Sequence, residues 1–270
     1  MQNQYKNYKI SIIIPNYNGE RFIGGCLESI CSQKYENYEV IIVDGKSTDQ
    51  SHTIIASYVQ MYPDTIKWLN ISDTGISHGF NLWIQASVWD FVLLLGSDDY
   101  LYDDILKKVN HFINTVHSFG YLDVTSCNFF CDSINYWSDS NTFLQRKPQT
   151  EIFNTKQLVR HGNISGFQNI YINRKWFEHY SINVKNKYSM DYEAYFSMLQ
   201  AWQVFIHIPE INSINCLGQN TTCKYWYESQ KEANDISFRY ASNLIDYLFV
   251  FRRFVLREVL RFSKSLWIIK

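Results

Sequence analysis

The stretch Phe91–Asp99, FVLLLGSDD, decides the fold. Five consecutive apolar residues do not alternate in and out of water. A run this short and continuous reads as a strand covered on both faces, ended by a Gly-Ser turn and two acids. The same grammar appears twice upstream, in Lys9–Ile14 (KISIII), stopped by Pro15, and in Tyr38–Val43 (YEVIIV), followed by the polar turn Asp44–Asp49. After the first run, Phe22, Ile23, Cys26, Leu27 and Ile30 recur at helical spacing; after the second, Ile54, Ile55, Tyr58 and Val59 do so. Thr65–Ile71 reads as a third strand and Phe80–Trp89 as the helix leading into Phe91. Apolar strands alternating with helices predict an α/β fold, a Rossmann-like, mostly parallel sheet flanked by helices on both faces.

Downstream, Asp103–His117 reads as a helix and Tyr121–Phe130 as a strand. Cys131–Thr150 turns irregular, as an elaborated loop or a small antiparallel section would. Regular signals return at Ile170–Ile172, at the helical Tyr192–Trp202, and at Val204–Ile208 before Pro209. From residue 236 to the end an apolar stripe at intervals of three or four, including Leu244, Ile245, Leu248, Phe251 and Val255, predicts an amphipathic helical extension. The expected organisation is a main domain over 1–235, with a ligand-binding half (1–106) and a second half (107–235), followed by the tail 236–270.

The 270 residues carry 25 Lys+Arg against 26 Asp+Glu, a net charge of −1 that provides no basic field for nucleic acid. The balance is uneven, however. The tail holds seven cations against Asp246 and Glu258. A basic, aromatic, amphipathic helix fits two readings: it lies in a membrane interface, where apolar burial and attraction to anionic lipid add, or it packs on the domain. The six cysteines form no C-x-x-C pair and read as reduced thiols. The apolar run near the N-terminus is far shorter than the ~20 residues of a membrane span. No signal peptide is read there, so the expected location is cytoplasmic, with the tail able to reach the inner face of the membrane.

In such a sheet, ligands bind beyond the carboxyl ends of the strands. That selects Pro15–Gly19, Asp44–Asp49, Asp73–Asn81 and Gly96–Asp99. Adjacent carboxylates at Asp98-Asp99 suit a hard divalent cation, Mn²⁺ or Mg²⁺, which takes oxygen ligands from protein and diphosphate alike. The competing reading makes them caps of the helix that follows.

Taken together, Ser-Ile-Ile-Ile-Pro-Asn-Tyr-Asn-Gly, Val-Asp-Gly-Lys-Ser-Thr-Asp, Asp73-x-Gly75 with Asn81, and Leu-Gly-Ser-Asp-Asp stand in order at successive strand ends. In this the chain resembles the inverting family-2 glycosyltransferases of the GT-A fold, most closely enzymes that build bacterial surface polysaccharides. The resemblance covers Lys9 to about Leu106 and continues more weakly to Trp202. It implies a nucleotide-sugar donor, usually UDP-linked, and a saccharide or lipid-linked acceptor. Pro15 and Tyr17 match the loop that packs on the base, Asp44 the acid that hydrogen-bonds it, and Asp73 and Asn81 the nucleotide and sugar side of the pocket. Asp98 and Asp99 match the metal and ribose motif, Asp99 being the preferred direct ligand. Asp191, in Met190-Asp191-Tyr192-Glu193, matches the general base, although an Asp there also suits an ordinary helix N-cap. Glu193, His161 and His179 are weaker candidates for that role.

Two positions depart from the family pattern. Gly96 replaces a frequent aspartate, and Phe167-Gln168 stands where His-Gln is common. These departures keep open a catalytically inactive binding protein of the same fold. A sugar nucleotidyltransferase fits less well, since no glycine-rich phosphate loop follows the first strand.

Overall fold

The computed structural model describes residues 5–71, 77–78, 80–81, 84, 89–120, 122–137, 140–147, 154–163, 165–217 and 224–267, with side chains as far as Arg257. Strand β1 (Ile10–Asn16) lies beside β2 (Tyr38–Asp44) and, on its other side, β4 (Phe91–Leu94); β3 (Ile66–Asn70) extends the sheet beyond β2, and all these pairings are parallel. Helices α1 (Ile23–Cys31) and α2 (Ser51–Met61) connect the first three strands. The burial pattern explains the unbroken apolar runs. Ile10, Ile12 and Ile14 pack with Val40, Ile42, Phe91 and Leu93 in one core cluster. Ile13, Ile41, Val43, Val92 and Leu94 point the opposite way into a second cluster. With period-2 side chains, a strand sandwiched between two cores is apolar at nearly every position, and the buried exceptions Ser11 and Glu39 satisfy each other at 2.8 Å. Each fully buried isoleucine contributes roughly 1.5–3 kcal/mol.

Pro15, expected to stop the first strand, is inside it and pairs with Val43, while Asn16 pairs with Asp44. β4 pairs with β1 only as far as Leu94, opposite Ile13. Past that point β1 has an open side, where a missing N–H interrupts no ladder.

The rest of the sheet is mixed. β5 (Asp99–Leu101) precedes α3 (Ile105–Ser118), then come β6 (Cys127–Trp137), β7 (Thr142–Arg146), α4 (Thr155–His161) and β8 (Ile170–Asn173). α5 (Met190–Gln200) and β9 (Val204–Leu217) follow. Among the described residues the sheet order is β3-β2-β1-β4-β8-β6-β9-β5, with β7 on β6. The irregular region opening at Cys131 therefore contains the end of a long strand and an antiparallel hairpin. β9 also outruns its expected end, crossing Pro209 where its register with β6 jumps from Cys131↔Ile208 to Asp132↔Ile211. A bulge is one of the few places in a sheet that accepts proline. The expected helix Phe80–Trp89 lies largely outside the described residues; Phe80, Asn81 and Ile84 are helical and Trp89 is in a bend.

Two helices close the chain, α6 (Trp226–Tyr240) and α7 (Leu244–Trp267). Residue 236, where the tail was expected to begin, falls inside α6. α6 escaped the sequence reading because its buried face includes Ser229, Asn234 and Ser237 beside Ile236, so hydrophobic periodicity does not mark it. α7 packs on α6 and α4. Its anchor is Asp246, which accepts from Arg160 Nε at 2.8 Å and Asn243 Nδ2 at 2.8 Å. Val250 is fully buried, and Arg253 donates to the Val159 carbonyl at 2.8 Å.

Asp246→Ala is expected to lower the unfolding free energy by about 2 kcal/mol. That is less than the ~3–5 kcal/mol of a wholly buried broken pair, because Arg160 keeps some contact with solvent. It should also speed proteolytic cleavage around residues 241–243. A urea midpoint and a digestion rate both equal to wild type would show that the ion pair does not hold α7.

Candidate active site

The carboxyl ends of β1 and β4 open into a cavity of about 560 Å³. Pro15, Gly96, Asp98 and Asp99 come to its wall from these strand ends, and Asp191 from the first turn of α5. Acids 92 residues apart in the chain thus share one cavity.

Asp98 and Asp99 do not cap the following helix. α3 starts after Asp104, and Asp99 is the first residue of β5, paired with Asn215 of β9. Backbone groups of Cys216 and Gly96 hydrogen-bond the Asp99 carboxylate, yet burial outweighs them. Burial pushes both carboxyls up, and Asp98 raises Asp99 further. Gly96 has a local explanation. A Cβ there would lie 2.8 Å from Asp98 Oδ1 and 3.0 Å from Asp99 Oδ2, so the two carboxylates occupy the space a side chain would need.

Two crowded, desolvated carboxylates are a donor set suited to a divalent cation, whose charge would restore their ionised form. Among the described residues no group of three or more His, Cys, Asp or Glu could hold a metal. A cation held by this pair would need further oxygens, as Mg²⁺ takes from diphosphate and water.

Asp191 is not the N-cap of α5. Its Oδ1 accepts from the adjacent Tyr192 N–H at 2.7 Å, and its Oδ2 accepts from Asn163 Nδ2 at 2.7 Å. Glu232 of α6 holds the segment that leads into the helix, accepting from the N–H groups of Lys187, Tyr188 and Ser189 at 3.0, 3.0 and 2.7 Å. Burial pushes the Asp191 carboxyl up to about 6, against the lowering pull of Asn163 and the Tyr192 N–H; Glu232 adds to the rise. A carboxyl near 6 is matched to taking a proton at neutral pH.

The other candidates separate. Asp44 is fully buried and does not reach the cavity. Its Oδ1 accepts from Asn16 Nδ2 (2.8 Å) and Ser47 Oγ (2.6 Å), and its Oδ2 from the Ser47 N–H (2.9 Å). His52 Nε2 lies 2.8 Å from that second oxygen. Burial disfavours its charge, but together the bonds from Ser47, Asn16 and His52 prevail and hold it below the usual carboxylate range. Asn81 is engaged in a two-way pair with the backbone of Ile182, and its neighbour Phe80 is the one at the wall. Tyr17 is 67% exposed and stands apart from the wall. Asp73 lies outside the described residues. Glu193 binds Asn183 and Asn186 through one oxygen and Arg239 through the other, a structural post between α5, the 183–186 loop and α6. His161 lines the cavity; His179 does not.

Sequence reasoning missed four contributors. Phe167, in place of the expected histidine, packs edge-on against Phe80 and Tyr195 as part of an aromatic wall. Asn163 orients Asp191, a role that nothing in the local pattern signals. A row of Asn135, Asn169 and Asn215, linked through Ser213 and direct contacts, makes a polar floor. Arg253 reaches the cavity from α7.

With this geometry in place, comparison with known proteins is informative. The family model for glycosyl transferase family 2 matches residues 11–180, more than half of the chain. A teichoic acid poly(glycerol phosphate) polymerase of Staphylococcus epidermidis is 28% identical over 177 residues, 60% of this chain but 24% of the relative. The chain thus spans about a quarter of that protein's length. Among solved structures, S. aureus TarS 1-349 in complex with UDP-GlcNAc superposes with a TM-score of 0.61 at 17% identity, over 84% of this chain and 66% of that one. The mannosyltransferase PcManGT of Pyrobaculum calidifontis, in complex with GDP-Man and Mn²⁺, gives a TM-score of 0.67 at 13% identity, over 93% and 70%. These likenesses establish the GT-A fold. From the family match and that fold together, the chain belongs to glycosyl transferase family 2.

Proposed function

We propose that the chain transfers a sugar from a nucleoside diphosphate donor, UDP-linked, to a hydroxyl of a saccharide or lipid-linked acceptor in surface-polymer synthesis, with inversion. The observation that carries this is the sharing of one cavity by the acid pair Asp98/Asp99 and by Asp191, whose carboxyl stands near 6. The relatives named above support the donor class.

In the reaction, Asp191 takes the proton of the acceptor hydroxyl while that oxygen bonds to the anomeric carbon. The bond from that carbon to the diphosphate oxygen breaks, and its electron pair leaves with the nucleotide. Attack opposite the leaving group inverts the centre. Asn163 and the Tyr192 N–H fix the Asp191 carboxylate in place. Asp98 and Asp99 would hold Mn²⁺ or Mg²⁺, and the ion would supply charge stabilisation to the departing diphosphate. Pro15, at the cavity wall, would pack on the base, and the exposed Tyr17 ring two residues on is free to stack on it.

The tail belongs to the same proposal. Among the described residues no helix is long and apolar enough to cross a membrane. α7 nevertheless presents Leu244, Ile245, Leu248, Phe251, Val255 and Leu256 to solvent, with Arg252 exposed among them. Arg261, Lys264 and Lys270 follow in the sequence. An outward apolar face flanked by cations suits the surface of an anionic membrane, which would hold the enzyme peripherally next to a lipid-linked acceptor.

Two outcomes are expected. With a panel of UDP-sugars, Mn²⁺ and oligosaccharide acceptors, kcat/KM should fall about tenfold per pH unit below an apparent pKa near 6 and be flat above it, because the base acts only as carboxylate. Asp191→Asn should lose roughly 10²–10⁴-fold in turnover with unchanged calorimetric binding of UDP. Wild-type turnover in that variant would remove Asp191 from the reaction. Separately, Leu248→Glu with Phe251→Glu, on the solvent face, should abolish co-sedimentation with phosphatidylglycerol vesicles at an unchanged melting temperature. Equal sedimentation of variant and wild type would end the membrane assignment.

A further inference from the structure

Arg253 enters the cavity from α7, well beyond the residues matched by the family model. Its Nη2 donates to the Val159 carbonyl at 2.8 Å and to Ser237 Oγ at 2.6 Å. Its Nη1 approaches residue 162 so closely that a Cβ there would lie 2.5 Å away; Gly162, at φ +85°, allows the approach. The Nε is buried and has no hydrogen-bond partner among the described residues.

Nearby arginines are compensated by acids. Arg160 pairs with Asp246 and Arg239 with Glu193, while Arg253 has only neutral acceptors and no ion pair among the described residues. A guanidinium drawn out of bulk water without an anion is costly unless a ligand supplies one. Its planar fork matches phosphate oxygens in particular. A second cation, Arg146 at the end of β7, lines the same cavity and likewise has no ion pair among the described residues.

Position says which reactant brings the anion. The guanidinium abuts Gly162, the residue before the Asn163 that holds Asp191. The donor diphosphate is assigned to Asp98 and Asp99, so an anion at Arg253 sits on the side of the base and belongs to the molecule whose hydroxyl the base deprotonates. We propose that Arg253, assisted by Arg146, forms a subsite for a phosphate group carried by the acceptor. This rests on the transferase reading, which makes the Asp191 wall the acceptor's side. A phosphodiester polymer and a lipid-phosphate carrier both present such a group.

The test uses the full chain saturated with UDP and Mg²⁺, so that the donor's phosphate positions are filled. Dimethyl phosphate in solution reads the polymer source, and farnesyl phosphate in neutral vesicles reads the lipid source, at matched ionic strength. At least one is expected to bind wild type and to bind Arg253→Gln roughly tenfold or more weakly, the loss expected for hydrogen bonds to a charged group. The probe that binds names the source. Arg146→Gln, on an exposed strand outside the α4–α6–α7 packing, should weaken the same probe about threefold and keeps the test valid if Arg253→Gln melts early. No binding of either probe to wild type overturns the proposal, as does binding unchanged in the variants. Absence of UDP binding would instead strike the transferase reading, and titration without UDP would still report on Arg253.

Discussion

A carboxylate leaves bulk water only if something else stabilises its charge, and three solutions to that constraint organise this protein. Asp44 is solved entirely from within. Four close contacts from Asn16, Ser47 and His52 saturate it, hold it ionised and lock the turn after β2. Asp191 is solved in part, by Asn163 and one backbone N–H, and burial leaves it poised near neutrality. Asp98 and Asp99 receive only backbone hydrogen bonds, and burial drives both toward the neutral form. One residue type thus stands in three electrostatic states, lowered, raised to about 6 and raised as a pair, with the difference made by what donates to it.

The geometry includes two close approaches at glycine. At Gly96 two carboxylates fill the side-chain space, and at Gly162 a guanidinium does. Asp191 is supported from far along the chain. Glu232 of α6 anchors the segment leading into the helix that carries Asp191, and Ser237 of α6 binds both Tyr192 and Arg253. The last two helices are thereby part of the cavity's construction rather than an appendage to it.

The parallel half of the fold was legible because each strand is buried on both faces, and that burial writes itself as KISIII, YEVIIV and FVLLL. The acid pair was legible for the same reason, since it follows directly on such a strand. Asn163, Arg253 and the asparagine floor were not. Their function comes from contacts between segments, Asn163 with Asp191 and Arg253 with Val159, and no local periodicity records those. Helix α6 was hidden by its own role. A helix bordering a polar cavity buries Ser229, Asn234 and Ser237, so the apolar stripe that announces most helices is absent. Pro15 and Pro209 misled about strand ends because the tolerance for each depends on whether a neighbouring strand needs its N–H, and that is decided by register.

α7 carries the apolar stripe that the sequence displays, but the stripe faces outward. Inward it places Asp246, Phe249, Val250, Arg253 and Arg257, of which Phe249 and Val250 are apolar. An ordinary surface helix does the reverse, because burying its apolar face is what attaches it. Here attachment comes from an ion pair, from a guanidinium gripping the end of α4 and from a few apolar contacts such as Phe249 on Arg160, which together leave Leu244, Leu248 and Phe251 exposed. Several contiguous large apolar residues held in water are unfavourable for a monomer and mark a surface meant to be covered. A helix built this way connects its two faces rigidly. Whatever covers Leu248 and Phe251 also fixes the backbone that carries Arg253 to the cavity wall, so attachment at a membrane and placement of the acceptor would be properties of the same 24-residue element.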